Sequence, residues 1–237
     1  MRLPTFPESS DLQTTHVLSH AHGRVVFSGK FQGRYAAIKV GESVDREARL
    51  LRAAAGPGLA ECLIETRTIT GAPAFASPLY MRTTETLGVE TCAGNLRRTL
   101  KMIGTIAGAL SRLHALGWTH GDISAANVMQ TANDDFVLID LGAARRVGET
   151  PSEPIGSFHY MAPEAFDRAP ADPRADIFSL AAVAWRMLVG APPEPFAPSP
   201  NVNLPGFVDL LERCLSPDPS RRPPDCRALS TALQELC

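Results

Sequence analysis

The chain has no run of lysines or arginines and no long uninterrupted hydrophobic segment. Its 237 residues carry a formal net charge of −2, from 23 Lys and Arg against 25 Asp and Glu. A nucleic-acid-binding protein needs a basic stripe to face the phosphates, so this charge pattern argues against that class. The most apolar window, 178–188, is interrupted by Arg186 and is too short to cross a bilayer. We therefore expect no nucleic-acid partner and no membrane span.

The sequence also lacks cysteines at metal-ligand spacing and an apolar leader. Its five cysteines are an odd number without a pairing pattern, which is typical of a reducing compartment. Residues 1–7 contain two prolines and no apolar core, so no secretory signal is visible. These features predict a cytoplasmic protein, while delivery into a host cell as an effector and the oligomeric state stay open. The cysteines are Cys62, Cys92, Cys214, Cys226 and Cys237.

The predicted secondary structure changes along the chain, from strands in the first third to helices in the remainder. Residues 1–16 carry Pro, Ser and Thr without periodicity and predict an extended arm. The pattern predicts an α+β fold with a small β-rich lobe at about 17–82, a helical lobe at about 83–237 and a cleft between them. Predicted strands lie at 25–27, 35–40, 62–65, 74–81 and 136–139, and predicted helices at 45–55, 96–116, 176–188, 207–214 and 225–236.

The most informative segment is a predicted loop that is followed by a strand and an Asp-Leu-Gly sequence. Asp122 and Asn127 stand five residues apart on the loop, and Asp140 follows the apolar run 136–139. One Asp can accept a hydroxyl proton, while the Asn and the second Asp offer hard oxygen ligands to Mg²⁺. An Asp/Asn-rich turn is the alternative interpretation of the loop alone. The order of all three residues predicts phosphoryl transfer from a magnesium nucleotide.

With its other motifs the chain resembles the catalytic domain of eukaryotic-like serine/threonine protein kinases over about residues 17–237. Residues 36–39, Ala-Ala-Ile-Lys, resemble the Val-Ala-Ile-Lys strand of that family. His-Gly-Asp at 120–122 stands where the family usually has His-Arg-Asp, which makes this a non-Arg-Asp type. Asp140-Leu141-Gly142 resembles the family's Asp-Phe-Gly. The implied fold is two-lobed and protein-kinase-like, with a small β-rich N-lobe and a helical C-lobe.

The resemblance implies ATP and Mg²⁺ as cofactors and a protein as the phosphate acceptor. Lys39 would hold the nucleotide phosphates and Glu47 would orient Lys39. Asp122 would be the catalytic base, and Asn127 and Asp140 the magnesium ligands. The implied nucleotide contacts are Gly23, Val25, Ala37, Lys39, Met81 and Met129.

Small-molecule kinases also carry His-Gly-Asp at this loop, but three further segments of this chain resemble protein kinases specifically. Residues 156–164 resemble the end of a Ser/Thr kinase activation segment, and 176–180 resemble the start of its central helix. Residues 218–223 resemble the Asp-Pro-x-x-Arg-Pro motif, whose Arg pairs with the activation-segment glutamate. The implied pair here is Arg222 with Glu164.

The chain also departs from the family pattern. Leu18 and His20 take the places of the first two phosphate-loop glycines, so that His20 and His22 become candidate phosphate donors. Gly121 replaces an Arg that clamps phosphorylated activation loops, which predicts activity without loop phosphorylation. Ser124 replaces a Lys that neutralises the transferring group. These departures keep a pseudokinase scaffold open as an alternative, and His-Gly-Asp alone keeps a small-molecule phosphotransferase open.

Overall fold

The computed structural model describes residues 3–21, 23–85, 96–154, 156–193, 199–200 and 202–236. These residues form two units. The first holds the described residues up to Ala55 together with Ala60–Met81, and the second holds Gly56–Leu59 and the described residues from Arg82 onward. Within these ranges no helix has the length and apolarity that a membrane span requires. The predictions that involve His22, Cys92 and Cys237 fall outside the described residues.

The first unit is built on a five-stranded antiparallel sheet in the order β1-β2-β3-β5-β4. A ten-residue helix, α1 (Val44–Ala53), connects β3 to the remaining strands. Because β1 begins at Leu12, part of the segment predicted as an extended arm is strand. The strands are β1 (Leu12–Ala21), β2 (Arg24–Phe31), β3 (Arg34–Gly41), β4 (Ile64–Arg67) and β5 (Pro73–Pro78).

One face of this sheet is the apolar core of the first unit. Phe27, Ile38 and Ala76 occupy the same ladder position on neighbouring strands and are buried. Phe6 from the N-terminal segment is 9% exposed and packs into the same cluster. Side chains alternate between the faces of a strand, so the residues adjacent to these three point to the opposite face. That second face carries Lys39.

The second unit is mainly helical around one helix whose middle turns, 180–185, are apolar on every side. The chain enters that helix through Asp172, whose side chain accepts from the Arg174 N–H at 2.8 Å, and leaves it at Gly190, which has a φ of 90°. A helix that is apolar all round belongs in a core, and its middle turns are buried here. The helices are α2 (Leu96–Ala115), α3 (Pro163–Phe166), α4 (Pro173–Val189, the central one), α5 (Pro205–Cys214) and α6 (Cys226–Gln234).

Short strands in the second unit hold the predicted catalytic loop. A three-stranded sheet has the order β6-β8-β9, and a two-stranded ladder pairs β7 with β10. The loop that contains Asp122 runs between β7 and β8, and Asp140 follows β9. These strands are β6 (Arg82–Thr83), β7 (Trp118–Thr119), β8 (Val128–Gln130), β9 (Phe136–Leu138) and β10 (Arg145–Arg146).

The three described cysteines are free thiols that behave as small apolar residues. Burial raises the pKa of the Cys214 thiol to about 12, and burial also raises the pKa of Cys226 well above its usual value. Their thiolates are therefore scarce near neutral pH, which leaves both residues unreactive. No group of three or more His, Cys, Asp or Glu in the described ranges is arranged to hold a metal.

Candidate active site

Lys39 and Glu47 form a buried ion pair in the first unit. The Lys39 Nζ lies 2.7 Å from the Glu47 Oε1, and the two side chains are 12% and 2% exposed. Glu47 lies in the first turn of α1, where the helix dipole favours a negative charge. The Lys39 Nζ also lies 5.9 Å from the centre of the buried Phe75 ring. The Lys and Glu predicted to act together are thus in direct contact.

The strand register decides which residues share a face with this pair. Lys39 lies opposite Val26 on β2, and Ala37 lies opposite Ser77 on β5. Val25 lies opposite Val40 and packs beside the core cluster on the other face. The structure therefore groups Val26, and not Val25, with Ala37 and Lys39. Ser77 also joins this face.

Two other implied nucleotide contacts in the first unit lie just outside the strands. Gly23 has a φ of 72° and precedes β2, and a Cβ there would meet nothing within 4 Å. Met81 follows β5 and is 79% exposed. His20 pairs with Val25, so His20 lies on the face opposite Lys39. Ser77 lies within β5 and pairs with Ala37, whereas Met81 lies three residues beyond the end of that strand.

In the second unit the Asp122 carboxylate accepts three hydrogen bonds, two from Ser157 and one from Asn127. Its Oδ1 accepts from the Ser157 N–H at 2.8 Å and from the Ser157 hydroxyl at 2.7 Å. Its Oδ2 accepts from the Asn127 Nδ2 at 3.1 Å, and the same amide donates to the Asp122 carbonyl at 2.8 Å. The carboxylate is thereby fixed in one orientation. Ser157 was not among the predicted site residues, although its motif was recognised.

His120 connects the Asp122 loop to the strand end that precedes Asp140. Its Nδ1 accepts from the Asp122 N–H at 3.2 Å, so its Nε2 carries the proton that is donated to the Ile139 carbonyl at 3.1 Å. His120 has no exposed surface. These two bonds assign the neutral Nε2–H tautomer. They also fix the backbone on both sides of the predicted catalytic residues.

Asp176, at the start of the buried helix α4, anchors the backbone of the same loop. Its carboxylate accepts from the N–H groups of His120 at 2.7 Å and Gly121 at 3.0 Å, and from the His114 Nε2 at 2.8 Å. Burial raises the pKa of Asp176, but the hydrogen bond and charge of His114, together with the Gly121 N–H, outweigh burial and lower the pKa below its usual value. Asp176 therefore remains ionised and holds the loop.

Asn127 and Asp140 are the candidate magnesium ligands. The Ile139 N–H donates to the Asn127 carbonyl at 3.0 Å, which ties Asn127 to the residue before Asp140. The Asn127 amide nitrogen is used by Asp122, so the amide oxygen is the atom that a cation would bind. Asp140 has a φ of 66°, an uncommon value for a residue with a side chain. Mg²⁺ typically uses one or two protein oxygens together with substrate phosphates, and this donor set fits that pattern.

The last predicted nucleotide contact, Met129, is buried in the second unit, as is Ser124, while Gly121 adopts a positive φ. Met129 on β8 is 6% exposed and lies between Thr83 and Val137. Gly121 has a φ of 78°, and a Cβ there would lie 2.8 Å from the Ala143 carbonyl oxygen. Ser124 is 1% exposed. Gly121 therefore suits its backbone, and the buried Ser124 hydroxyl cannot substitute for the missing Lys.

Residues 145–171, which include the segment that resembles the end of an activation segment, are held by several hydrogen bonds and an ion pair. The Ala171 N–H donates to the Glu149 carbonyl at 2.9 Å, and the Gly148 N–H donates to the Ala171 carbonyl at 2.8 Å. The Glu149 carboxylate lies 3.5 Å from the Arg145 guanidinium. Arg168 donates to the Ser152 carbonyl at 3.2 Å.

The pair predicted between Glu164 and Arg222 is present in the second unit. The Arg222 guanidinium donates to both Glu164 carboxylate oxygens, at 2.6 and 2.8 Å. It also donates to the carbonyls of Ser216 at 2.9 Å and Arg174 at 3.1 Å. The Arg222 side chain is fully buried, whereas that of Glu164 is 19% exposed. This network joins α3, the start of α4 and the segment before α6.

Comparison with known proteins identifies one family and several relatives. Residues 80–233 match the protein kinase domain family. The chain is 39% identical over 100 residues to the serine/threonine-protein kinase PknD of Mycobacterium tuberculosis, which is 40% of this chain and 15% of PknD. It is 30% identical over 156 residues to PknE of the same organism, or 57% of this chain and 28% of PknE. The chain thus covers well under a third of either relative.

A plant relative and a solved viral structure extend the comparison. The serine/threonine-protein kinase STY17 of Arabidopsis thaliana is 28% identical over 146 residues, covering 54% of this chain and 26% of STY17. The structure of the Cydia pomonella granulovirus kinase PK-1 superimposes with a TM-score of 0.79 over 94% of this chain and 93% of that one. Sequence identity to PK-1 is 18%, so this match concerns the fold.

Proposed function

The chain belongs to the protein kinase domain family, and we propose that it transfers the γ-phosphate of ATP to Ser or Thr hydroxyls of a protein substrate. The observation that carries the proposal is the Asp122 carboxylate, held by Ser157 and Asn127 in the loop that Asp176 anchors. A carboxylate fixed in this way can orient an acceptor hydroxyl and take its proton. The relatives with this sequence pattern are serine/threonine-protein kinases.

In the proposed reaction each residue has one task. Lys39, held by Glu47, binds the nucleotide phosphates. Asp122 takes the proton of the acceptor hydroxyl as its oxygen bonds to the γ-phosphorus, and the bond from that phosphorus to the β-phosphate oxygen breaks to release ADP. Asn127 and Asp140 would hold Mg²⁺, which when bound offsets negative charge on the phosphates.

A protein acceptor is favoured by an exposed aromatic pair next to Ser157. Phe158 is 72% exposed, and its ring meets the edge of the Phe166 ring with the centroids 5.3 Å apart. An exposed apolar surface beside the residue that binds Asp122 offers a polypeptide a place to dock. Together with the family match, this surface weakens the alternative of a small-molecule phosphotransferase.

A pseudokinase scaffold is the second candidate, and specific observations favour it. His20 does not lie on the face that carries Lys39, and Ser124 is buried. The chain therefore lacks two groups that kinases use to bind and neutralise phosphates. Activity must be measured to decide between the two candidates.

The deciding experiment compares the purified wild-type protein with Asp140→Ala. We expect Mg²⁺ and γ-labelled ATP to place label on Ser or Thr of a generic protein substrate, and the label to vanish in the variant or in EDTA. Asp167→Ala, at an exposed carboxylate after α3, is the matched control and should retain the label. Nucleotide binding without label would support the scaffold instead.

We also expect activity without phosphorylation of the activation segment. Thr150→Ala combined with Ser152→Ala should leave the initial rate unchanged, because backbone bonds and Arg168 already hold this segment and Gly121 offers no clamp for a phosphate. Initial rates before and after phosphatase treatment test this prediction. A rate abolished by the phosphatase, and restored by autophosphorylation, would contradict it.

A further inference from the structure

Arg24 lies on the sheet face that carries Lys39. Arg24 opens β2 opposite Gly41, and Val26, two residues later, lies opposite Lys39. Residues two apart on a strand point to the same face, so Arg24, Val26 and Lys39 share one face. The register is regular along the whole β2–β3 ladder, with one partner for every residue from Arg24 to Phe31.

The buried Glu47 carboxylate places the two cations side by side. The Lys39 Nζ lies 2.7 Å from Oε1, and the Arg24 guanidinium lies 4.0 Å from Oε2. The Arg24 side chain is 22% exposed, so it is partly desolvated and still accessible. Two cations around one carboxylate leave this group with a net positive charge. Such a group suits a ligand with several negative charges.

The residue opposite Arg24 fixes where β2 begins. Gly41 has a φ of 136°, and a Cβ there would lie 2.4 Å from the Gly23 carbonyl oxygen and 3.0 Å from the Arg24 Cα. Glycine is therefore required at this point of the ladder, because the two backbones approach closely. This close approach holds the Arg24 backbone against the end of β3, two residues after Lys39.

We propose that Arg24 is a second phosphate-binding side chain, which replaces contacts that a glycine-rich loop would make through its backbone. The proposal rests on the proposed use of ATP. A guanidinium can donate two parallel hydrogen bonds to a phosphate, whereas the Lys39 ammonium acts as a point charge. Arg24 then binds the phosphate chain while Glu47 keeps both cations in position. This is a binding role, and Asp122 retains the proton transfer.

The test is calorimetric binding of ATP with Mg²⁺, and of adenosine, to wild type, Arg24→Ala and Arg24→Gln. Charge-assisted hydrogen bonds of this kind predict about a tenfold or greater loss of ATP affinity in both variants. Adenosine affinity should be unchanged, because adenosine has no phosphate. Arg34→Ala is the matched control: Arg34 is an exposed arginine on β3, opposite Phe31, and its removal should change neither affinity.

Three other binding results would each overturn the inference, and they can be told apart. Unchanged or tighter ATP binding in both variants, with a wild type that binds ATP, removes Arg24 alone and leaves the proposed function standing. An equal loss of ATP and adenosine with a lowered melting temperature assigns Arg24 a structural role. A wild type that binds no ATP removes the inference and the proposed function together.

Discussion

Asp122→Asn is expected to reduce turnover by about 10²–10⁴-fold while the protein stays folded. Asn has the shape of Asp but cannot take a proton from the acceptor hydroxyl. The Asn oxygen can still accept both donors from Ser157, which lie at 2.7 and 2.8 Å in the wild type. The loss of rate therefore reports the chemistry of the carboxylate and not its position.

The substitution has one structural cost, which is small. The new amide group would face the Asn127 Nδ2, a donor that now lies 3.1 Å from the Asp122 Oδ2. Losing that hydrogen bond costs about 0.5–1.5 kcal/mol, a modest part of the stability of a domain. Circular dichroism and ATP binding should therefore match the wild type.

The measurement is the initial rate of label transfer at saturating ATP. Asp209→Asn, on the exposed side of α5, makes the same chemical change far from the loop in sequence and should leave the rate unaltered. An undiminished rate in Asp122→Asn would remove Asp122 from the base role. A loss of both rate and ATP binding would mean that the variant had disturbed the loop instead.

The long helices could be predicted from the sequence because their apolar residues repeat at helical spacing. The prediction placed one helix between Leu96 and Gly117, and α2 spans Leu96–Ala115. The start of the buried helix was placed at Asp176, whereas α4 begins at Pro173. Pro173 follows Asp172, an N-cap residue before a proline at the first helical position. That local signal was present in the sequence and lay outside the kinase motif that guided the prediction.

The sheet face of each predicted nucleotide contact could not be derived from the motif. Positions 25 and 26 are both valine, and a Gly-x-Val match selects Val25. The hairpin register selects Val26 instead, and a shift of one residue moves a side chain to the other face. The position of Arg24 beside Glu47 could not be predicted either, because it depends on strand pairing and not on spacing along the chain. The contacts of Lys39 with Glu47 and of Asp122 with Asn127 agree with the motifs, while the catalytic roles of these residues stay predictions.

Arg222→Met is expected to lower the free energy of unfolding of the second unit by about 3–5 kcal/mol. Removing the guanidinium leaves the Glu164 carboxylate, 19% exposed, without its bidentate partner. It also leaves the Ser216 and Arg174 carbonyls without this donor. Arg221→Met, at the exposed neighbouring arginine, is the matched control and should change stability little. Urea unfolding followed by tryptophan fluorescence suits the measurement, because both tryptophans, Trp118 and Trp185, lie in the second unit.

A double-mutant cycle separates the ion pair from the other bonds of Arg222. Glu164→Leu alone leaves the fully buried Arg222 guanidinium without its counter-charge, so it should also destabilise the second unit by several kcal/mol. Combining the two removes both charges, and the double variant should be more stable than the sum of the single losses predicts. Strict additivity would contradict direct coupling between the two side chains.

The same variants also test activity, because Glu164 lies in the segment 156–164 together with Ser157, which donates a hydrogen bond to Asp122. If the pair holds that segment in place, turnover should fall in Arg222→Met even at temperatures where the variant remains folded.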